Sequence, residues 1–334
     1  MSFSNGPRGR SFIRMKAAQF GGGSSPELIN TFAASRWVDG FAVAKAAQSA
    51  ITTGDIGTPE AIEYLNAVRE KSVLGGMAEI RSVPFNKRML ARANGVIGNF
   101  VAEFAPAPFQ KVVLAGSTLE SKKVVVLIAT TDEAMQAESL AAETGLQTDC
   151  EIGCVGAIDQ AFLDPANAGS DASPAAVTYG APTIAATNDA AADLKALVSA
   201  FAGDMASSYL VTDPTTATAL AMVRDANGSF LFPDAGPRGG SILGIPLLVS
   251  RYSPRDSSGG QIALIDAFGI ALAMDGIELS QSGNTSLVMT ATPDSPAEMV
   301  SMFQTNTVAL RAVIHANWVN QRIGGVAVIT GANY

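Results

Sequence analysis

Histidine is nearly missing from this chain: His315 is the only one in 334 residues. Any Ser-His-Asp triad would have to use it, and no Gly-x-Ser-x-Gly elbow exists to present a nucleophile. His315 closes a run whose alternation predicts a strand, so a structural, hydrogen-bonded role is expected of it. No glycine is followed by lysine, which removes the P-loop signature. Cysteine is almost as scarce, with Cys150 and Cys154 four residues apart. A helical pair at that spacing lies near the limit of separation a disulfide tolerates, and a metal would need two further ligands. Both thiols therefore read as small core hydrophobes. Charge is sparse too, at 16% of residues, and the net charge of −8 argues against a general nucleic-acid binder. No apolar run is long enough to cross a bilayer, no signal peptide is expected, and a reducing compartment fits. The sequons at Asn227-Gly228-Ser229 and Asn284-Thr285-Ser286 are then incidental.

What the chain has in quantity is apolar surface. Hydrophobic residues make up 48% of it, enough to offset chain entropy and to fill one large or two modest cores. So little charge over so much apolar area fits a subunit that hides surface against neighbours, and equally an Ala-rich monomer. The first 50 residues depart from the average. Arg8, Arg10, Arg14, Lys16, Arg36 and Lys45 face only Glu27 and Asp39, a local balance of +4. That excess suits an arm laid against an acidic partner, or a solvated tail.

The most legible stretch runs from Phe100 to Leu163. Asn99–Phe104 and Lys122–Ala129 are β-branched and read as strands, with Pro106 and Pro108 between them. Thr130 and Glu133 form a capping-box pattern for a long helix. In that helix Leu146, Cys150, Cys154 and Ala161 recur at helical spacing, with Val155, Ile158 and Phe162 alongside. Upstream, residues 1–58 read as an arm with weak helical patterning at Pro26–Ala34 and a flexible joint at Gly21–Ser25. Pro59–Leu74 reads as a short helix ended by Gly75-Gly76.

Downstream, Asp164–Thr187 reads as a loop and Asp189–Ser208 as a helix with Leu194, Leu197, Val198 and Phe201 inward. Leu210–Thr212 is a buried strand, and Asp213-Pro214 starts a helix ending near Val223. Asn227-Gly228 turns into Ser229–Phe232. Ile242–Ser250 and Ile262–Asp266 are strands, Asp275-Gly276 is a hairpin signal, Thr307–His315 alternates cleanly, and Val326–Thr330 closes the chain as a last strand. Alternating helices and short apolar strands predict a compact α/β lobe.

The order of these parts resembles the major capsid proteins of tailed bacteriophages, the Hong Kong 97-type fold. The resemblance rests on Phe100-Val101-Ala102-Glu103, on Thr130-Thr131-Asp132-Glu133, and on the helix closing Ile158-Asp159-Gln160-Ala161-Phe162-Leu163. It continues through Ala192-Asp193-Leu194, Leu210–Pro214, Gly240–Ser250, Thr307–Arg311 and Ala327–Gly331, an ordered set from Ser82 to Gly331. Phe104 stands where the family has a glycine, a departure that concerns the local turn. The resemblance implies an α+β fold: an N-terminal arm over 1–80 and an extended β-hairpin loop over 81–123. A peripheral domain with a long spine helix would cover 124–188 and 275–315, and an axial α/β domain 189–274 and 316–334.

It also implies a non-enzymatic protein with no catalytic residue, cofactor or metal, whose work is assembly of an icosahedral head shell from hexamers and pentamers of itself. Implied partners are scaffolding, protease, portal and decoration proteins, and packaged double-stranded DNA on the inner face by non-specific contact, with no membrane. The implied location is the virion, assembled in the host cytoplasm. Candidate inter-subunit contacts are Arg14 and Trp37 on the arm and Phe100, Val101 and Glu103 on the loop; ordinary packing within one subunit is the alternative for each. Some family members join subunits by a lysine–asparagine isopeptide bond assisted by a glutamate two or three residues beyond the place of Arg311. Here those places hold Val313 and Ile314. An apolar side chain cannot take the lysine's proton, so a shell held without covalent links is expected despite Lys111, Lys122 and Lys123. No scaffolding segment precedes Ser2, which implies a separate scaffold or a processed chain. An encapsulin-type compartment shell is the alternative within the fold, and a soluble α/β enzyme the alternative outside it.

Overall fold

The computed structural model describes residues 10–22, 25–53, 66–92, 114–131, 140–187, 189–225, 227–282, 285–288, 299–322 and 324–334. Three helices come first: α1 (Arg10–Gly22), α2 (Pro26–Arg36) and α3 (Gly40–Thr53). Residues 66–71 are helical, and α4 (Val73–Gly76) follows, its Ser72 side chain accepting from the Gly75 N–H. Next are β1 (Arg81–Ser82), β2 (Arg88–Arg92), β3 (Leu114–Thr118), β4 (Lys123–Thr131) and the 24-residue α5 (Leu140–Leu163). Then come β5 (Thr183–Ala185), α6 (Ala190–Ala200), β6 (Ser208–Thr212), α7 (Pro214–Met222), β7 (Gly240–Ile242), β8 (Ile245–Val249) and β9 (Gly260–Asp266). The chain ends through β10 (Ile270–Ser282), β11 (Ser286–Val288), β12 (Met299–Ser301), β13 (Thr307–Asn320) and β14 (Val326–Ala332).

These elements form two compact units, and neither is continuous in sequence. The first takes Met1–Lys71, Lys123–Ala157 and Asp275–His315. Within it β4 pairs antiparallel with β13, from Lys123 opposite His315 to Thr131 opposite Thr307. Val308, Leu310, Ala312 and Ile314 are buried, as the alternation predicts, but so are Ala309 and Val313 from the other face; Arg311 is exposed. On α5, Gly153 leaves room for Val126 of β4, whose side chain would stand 3.0 Å from a Cβ added there. Cys150 and Cys154 are buried on this helix as the stripe predicts.

The second unit takes Ser72–Lys122, Ile158–Met274 and Ala316–Tyr334. Its centre is a six-stranded mixed sheet in the order β5-β14-β9-β6-β8-β7. Leu194, Leu197, Leu210, Leu220, Ile262, Leu264 and Ile329 fill its core. Asp189 caps α6 by accepting from the Ala191 and Ala192 N–H groups, and Asp213 caps α7 by accepting from Thr215 and Thr216. Phe162, at the end of α5, meets Trp318 edge-on with ring centres 5.4 Å apart, and the Trp318 indole N–H donates to the Ala175 carbonyl at 2.8 Å. The ribbon β2–β3 is also here, five residue pairs from Arg88 opposite Thr118 to Arg92 opposite Leu114.

Several sequence expectations are corrected. Thr130 caps no helix: it is a strand residue opposite Val308, because the β-branched run keeps its ladder partners through Thr131. Asp275-Gly276 makes no hairpin; β10 runs through it without a break, beside β13 in the strand order. Ile242–Ser250 is not one strand, since Leu243 and Gly244 take φ of 55° and 81° and reverse the chain between β7 and β8. The Asp189–Ser208 helix stops at Ala200, and Val198 faces outward. Ser229–Phe232 contributes a single bridge, Phe230 to Arg224.

The arm is more ordered than its composition suggests. Its three helices pack on one another, and Gly22, at the start of the expected joint, is closely packed: a Cβ there would fall 2.4 Å from the Ile29 nitrogen. The expected strand Asn99–Phe104, Glu133 of the capping box and residues 59–65 of the expected Pro59–Leu74 helix lie outside the described residues.

Candidate assembly surfaces

In the first unit the arm presents one polar and one apolar feature. Arg14 on α1 donates to Asp39 between α2 and α3 at 2.8 Å, and its guanidinium lies 5.6 Å from the centre of the Trp37 ring. Arg14 and Trp37, both expected at subunit contacts, are thus brought together within one arm. Phe32 meets the Trp37 ring edge-on and Arg36 lies over Phe32, so the α2–α3 corner is a stack of cations and rings. Around that corner Leu28, Val38 and Phe41 are exposed. Phe100, Val101 and Glu103, the candidates on the loop, lie outside the described residues.

The sheet of the same unit has a second apolar face. On β4, Val124, Val126 and Ile128 are half-buried while Val125 and Leu127 on the opposite side are 49% and 51% exposed. Among the described residues β4 is an edge strand, with β13 on one side. An exposed, β-branched edge is a standing invitation to pair or be covered. Beneath it, burial pushes the Cys150 thiol up to about 11 and the Cys154 thiol to about 12, with nearby Glu151 adding to both shifts. Glu151 is itself buried and bonded to Lys71.

Among the described residues of the second unit, the buried carboxylates of Asp159, Asp193, Asp213 and Asp266 serve structure. Asp193 accepts from the Thr187 N–H and hydroxyl and from the Tyr334 hydroxyl, tying the C-terminal residue to α6. Asp266 accepts from Phe268, Asp204, Ser207 and Arg322, and Asp213 from Arg255 as well as its helix. Asp159 accepts from Val73 N–H and Ser250 Oγ. Each of these acids is bonded to more than one element, which suits fastening more than proton transfer. Among the described residues no group of three or more His, Cys, Asp or Glu side chains is arranged to hold a metal ion. His315 is half-buried opposite Lys123 on the β13–β4 ladder. The geometry therefore offers faces and a ribbon to other molecules.

The comparison with known proteins decides what kind. The phage capsid family model matches residues 61–330. The chain belongs to that family. A curated relative, the capsid polyprotein of Pseudomonas phage PAJU2, is 32% identical over 319 residues, covering 87% of this chain and 48% of its own length. The chain thus spans about half the length of the curated relative it matches. A solved structure from Mycobacterium phage Adephagia superposes with a TM-score of 0.56 at 19% identity, over 78% of this chain and 89% of the other. One from Mycobacterium phage Cain gives 0.54 at 21% over 78% and 90%, and the capsid of a native GTA particle gives 0.54 at 15% over 77% and 88%. The capsid protein therefore has the α+β fold of tailed-phage shells that the sequence order implied. By family it is a phage capsid protein, a structural protein of the virion. No helix among the described residues is long and apolar enough to cross a membrane.

What sequence reasoning missed are the exposed apolar faces. Val125 and Leu127 were legible as strand residues, but period-two alternation names the two faces without saying which one the subunit leaves open.

Proposed function

We propose that the capsid protein builds its shell by repeated self-association into hexamers and pentamers held without covalent cross-links. The observation that carries this reading is the ribbon β2–β3, two strands that among the described residues pair with each other and join no larger sheet. A lone two-stranded ribbon is barely stable in water, so it gains its order by lying on another copy. The apolar face of β4 and the Leu28–Val38–Phe41 corner of the arm supply further area of the kind assembly covers. On this reading 124–188 with 275–315 is the peripheral domain and 189–274 with 316–334 the axial one, and Arg14, Trp37, Phe100, Val101 and Glu103 contribute to subunit contacts. The basic balance of the first 50 residues suits an arm near packaged DNA or an acidic partner. Scaffolding, protease, portal and decoration proteins complete the assembly line, in the host cytoplasm.

Val313 and Ile314 support the non-covalent part. They are 2% and 0% exposed on β13, and neither can act as a base for lysine attack. Lys122 donates to the Ser170 and Asp171 carbonyls and is held within its own subunit.

The test is sizing of the purified chain by light scattering, alone and with a scaffold protein, then negative-stain microscopy of the largest species. Closed particles or rings are expected. A chain that stays monomeric under both conditions overturns the reading. Boiled, reduced gels of particles should run as a single band, and a ladder of multimers would refute the absence of cross-links.

A further inference from the structure

The ribbon β2–β3 leaves and re-enters the second unit through a root fastened on both legs. On the way out, β1 pairs with β10 and the Val83 N–H donates to the Leu272 carbonyl at 2.9 Å. Asn86 then takes a φ of 58°, a left-handed turn conformation that asparagine tolerates, and its N–H donates across to the Leu119 carbonyl at 2.9 Å. On the way back, Leu119 is buried with Ala271 and Ala273, against Val83, Phe85 and Val319. The Asn317 side-chain amide donates to the Glu120 carbonyl at 2.6 Å, and the Ala316 N–H to the Lys122 carbonyl at 3.0 Å. The first ladder pair, Arg88 opposite Thr118, stands directly on this root.

One side of the root is not held by packing. An open cavity of about 390 Å³ adjoins the return leg, lined by Leu119, Lys122, Ser170, Ser173, Asn317 and Trp318. On that side the leg is held by Lys122, whose ammonium donates to the Ser170 carbonyl at 2.6 Å and to the Asp171 carbonyl at 2.9 Å. Hydrogen bonds with one charged partner are about twice as strong as neutral ones. The loop that accepts them is itself braced. Ser170 Oγ accepts from the Ala172 and Ser173 N–H groups, and the Ser170 N–H donates to the Ser173 carbonyl. The Asn167 side chain donates to the Ala161 carbonyl near the end of α5 and to the Pro174 carbonyl, both at 3.0 Å. Lys122 thus ties the ribbon's return leg, through this loop, to the end of α5. The stake is geometric: a ladder of five pairs is about 17 Å long, so a swing of roughly 10° at the root moves its far end by about 3 Å, a whole hydrogen-bond length.

We propose that Lys122 is a positioning residue for assembly: its grip on the Ser170 and Asp171 carbonyls fixes the direction of the ribbon before subunits meet, so that little orientational freedom is lost on contact. The role rests on the self-association reading above, and the experiment separates the two. Spin labels go on Ser117→Cys in the ribbon and Ser199→Cys on α6, the native thiols being buried, and their separation is measured in the subunit below its assembly concentration. With Lys122 present one narrow distance is expected. Lys122→Met should broaden the distribution about twofold at an unchanged melting temperature, and raise the concentration for half assembly roughly tenfold. Lys122→Arg keeps a charged donor for the two carbonyls and should restore both the narrow distance and assembly. A merely structural lysine would lower the melting temperature and leave the distance alone. A broad distance with Lys122 present, a narrow one in Lys122→Met, or assembly of Lys122→Met at the wild-type concentration overturns the positioning role while leaving self-association intact. A wild-type chain that never associates, with or without scaffold, overturns both.

Discussion

Ser250, just after β8, donates its hydroxyl to the Asp159 carboxylate of α5 at 2.7 Å, across 91 residues of sequence. The other carboxylate oxygen accepts from the Val73 N–H at the start of α4 at 3.0 Å, so one buried acid fastens three elements of the second unit. Burial pushes the Asp159 carboxyl up from 3.8 to about 6, against the pull of these two donors. Between those values the native state holds a proton that the unfolded chain has released. This contribution, about 3 kcal/mol, is complete below the unfolded value and is lost as pH rises through about 6. Asp159→Asn should flatten the fall in stability across that window, read by denaturant unfolding at a series of pH values. An unchanged slope would place the titration elsewhere.

Asp213 behaves oppositely. Burial alone would raise its carboxyl, but the Thr216 and Arg255 donors outweigh it and hold the group below the usual carboxylate range. Its contribution is present at neutral pH and lost on acidification through the lowered native value. Asp213→Ala removes a helix cap and leaves Arg255 without this partner, and should cost about 1–3 kcal/mol at pH 7. Thermal melting of the unassembled subunit measures it; a loss within error at pH 7 would contradict the role.

The thiols of Cys150 and Cys154 are buried and pushed far above neutrality. Thiolate is the reactive form, so native protein should resist an aromatic disulfide reagent and release both thiols only in denaturant. Rapid labelling of the native chain would mean that α5 opens where the structure buries it.

The arm's corners depend on missing side chains. A Cβ on Gly40 would lie 2.2 Å from the Ala33 carbonyl oxygen, and one on Gly22 would meet Ile29. Gly40→Ala should therefore separate α2 from α3 at a cost of about 1–3 kcal/mol. Faster amide exchange across residues 26–53, with the second unit unchanged, is the expected pattern; uniform protection would refute it.

Much of the fold was legible where one local rule sufficed. Asp189 and Asp213 were readable as helix starts because an N-cap needs only a short acceptor before an apolar period, and both carboxylates do cap. Leu210–Thr212 was readable as a strand because an apolar pair is followed by a β-branched threonine, and all five residues of β6 are buried. The candidate contacts were less legible. Arg14 and Trp37 meet through a helix–turn–helix path that composition hides, since Gly-, Ala- and Ser-rich segments look alike whether packed or loose.

By itself the sequence determined the stripe that buries Cys150, Cys154, Val155, Ile158 and Phe162 on α5, the caps at Asp189 and Asp213, and the order of motifs that points to the family. Those are effects of residues within a few positions of one another, where periodicity and side-chain chemistry act directly. Tertiary structure decided the rest. Thr130 is a strand residue because Val308, far along the chain, supplies its ladder partner, and β10 runs through Asp275-Gly276 although that pair favours a turn. Leu243 takes a backbone conformation its side chain opposes because β7 and β8 must pair in register on either side of it. In each case a pairing that spans the sheet outweighs a local preference of order 1 kcal/mol.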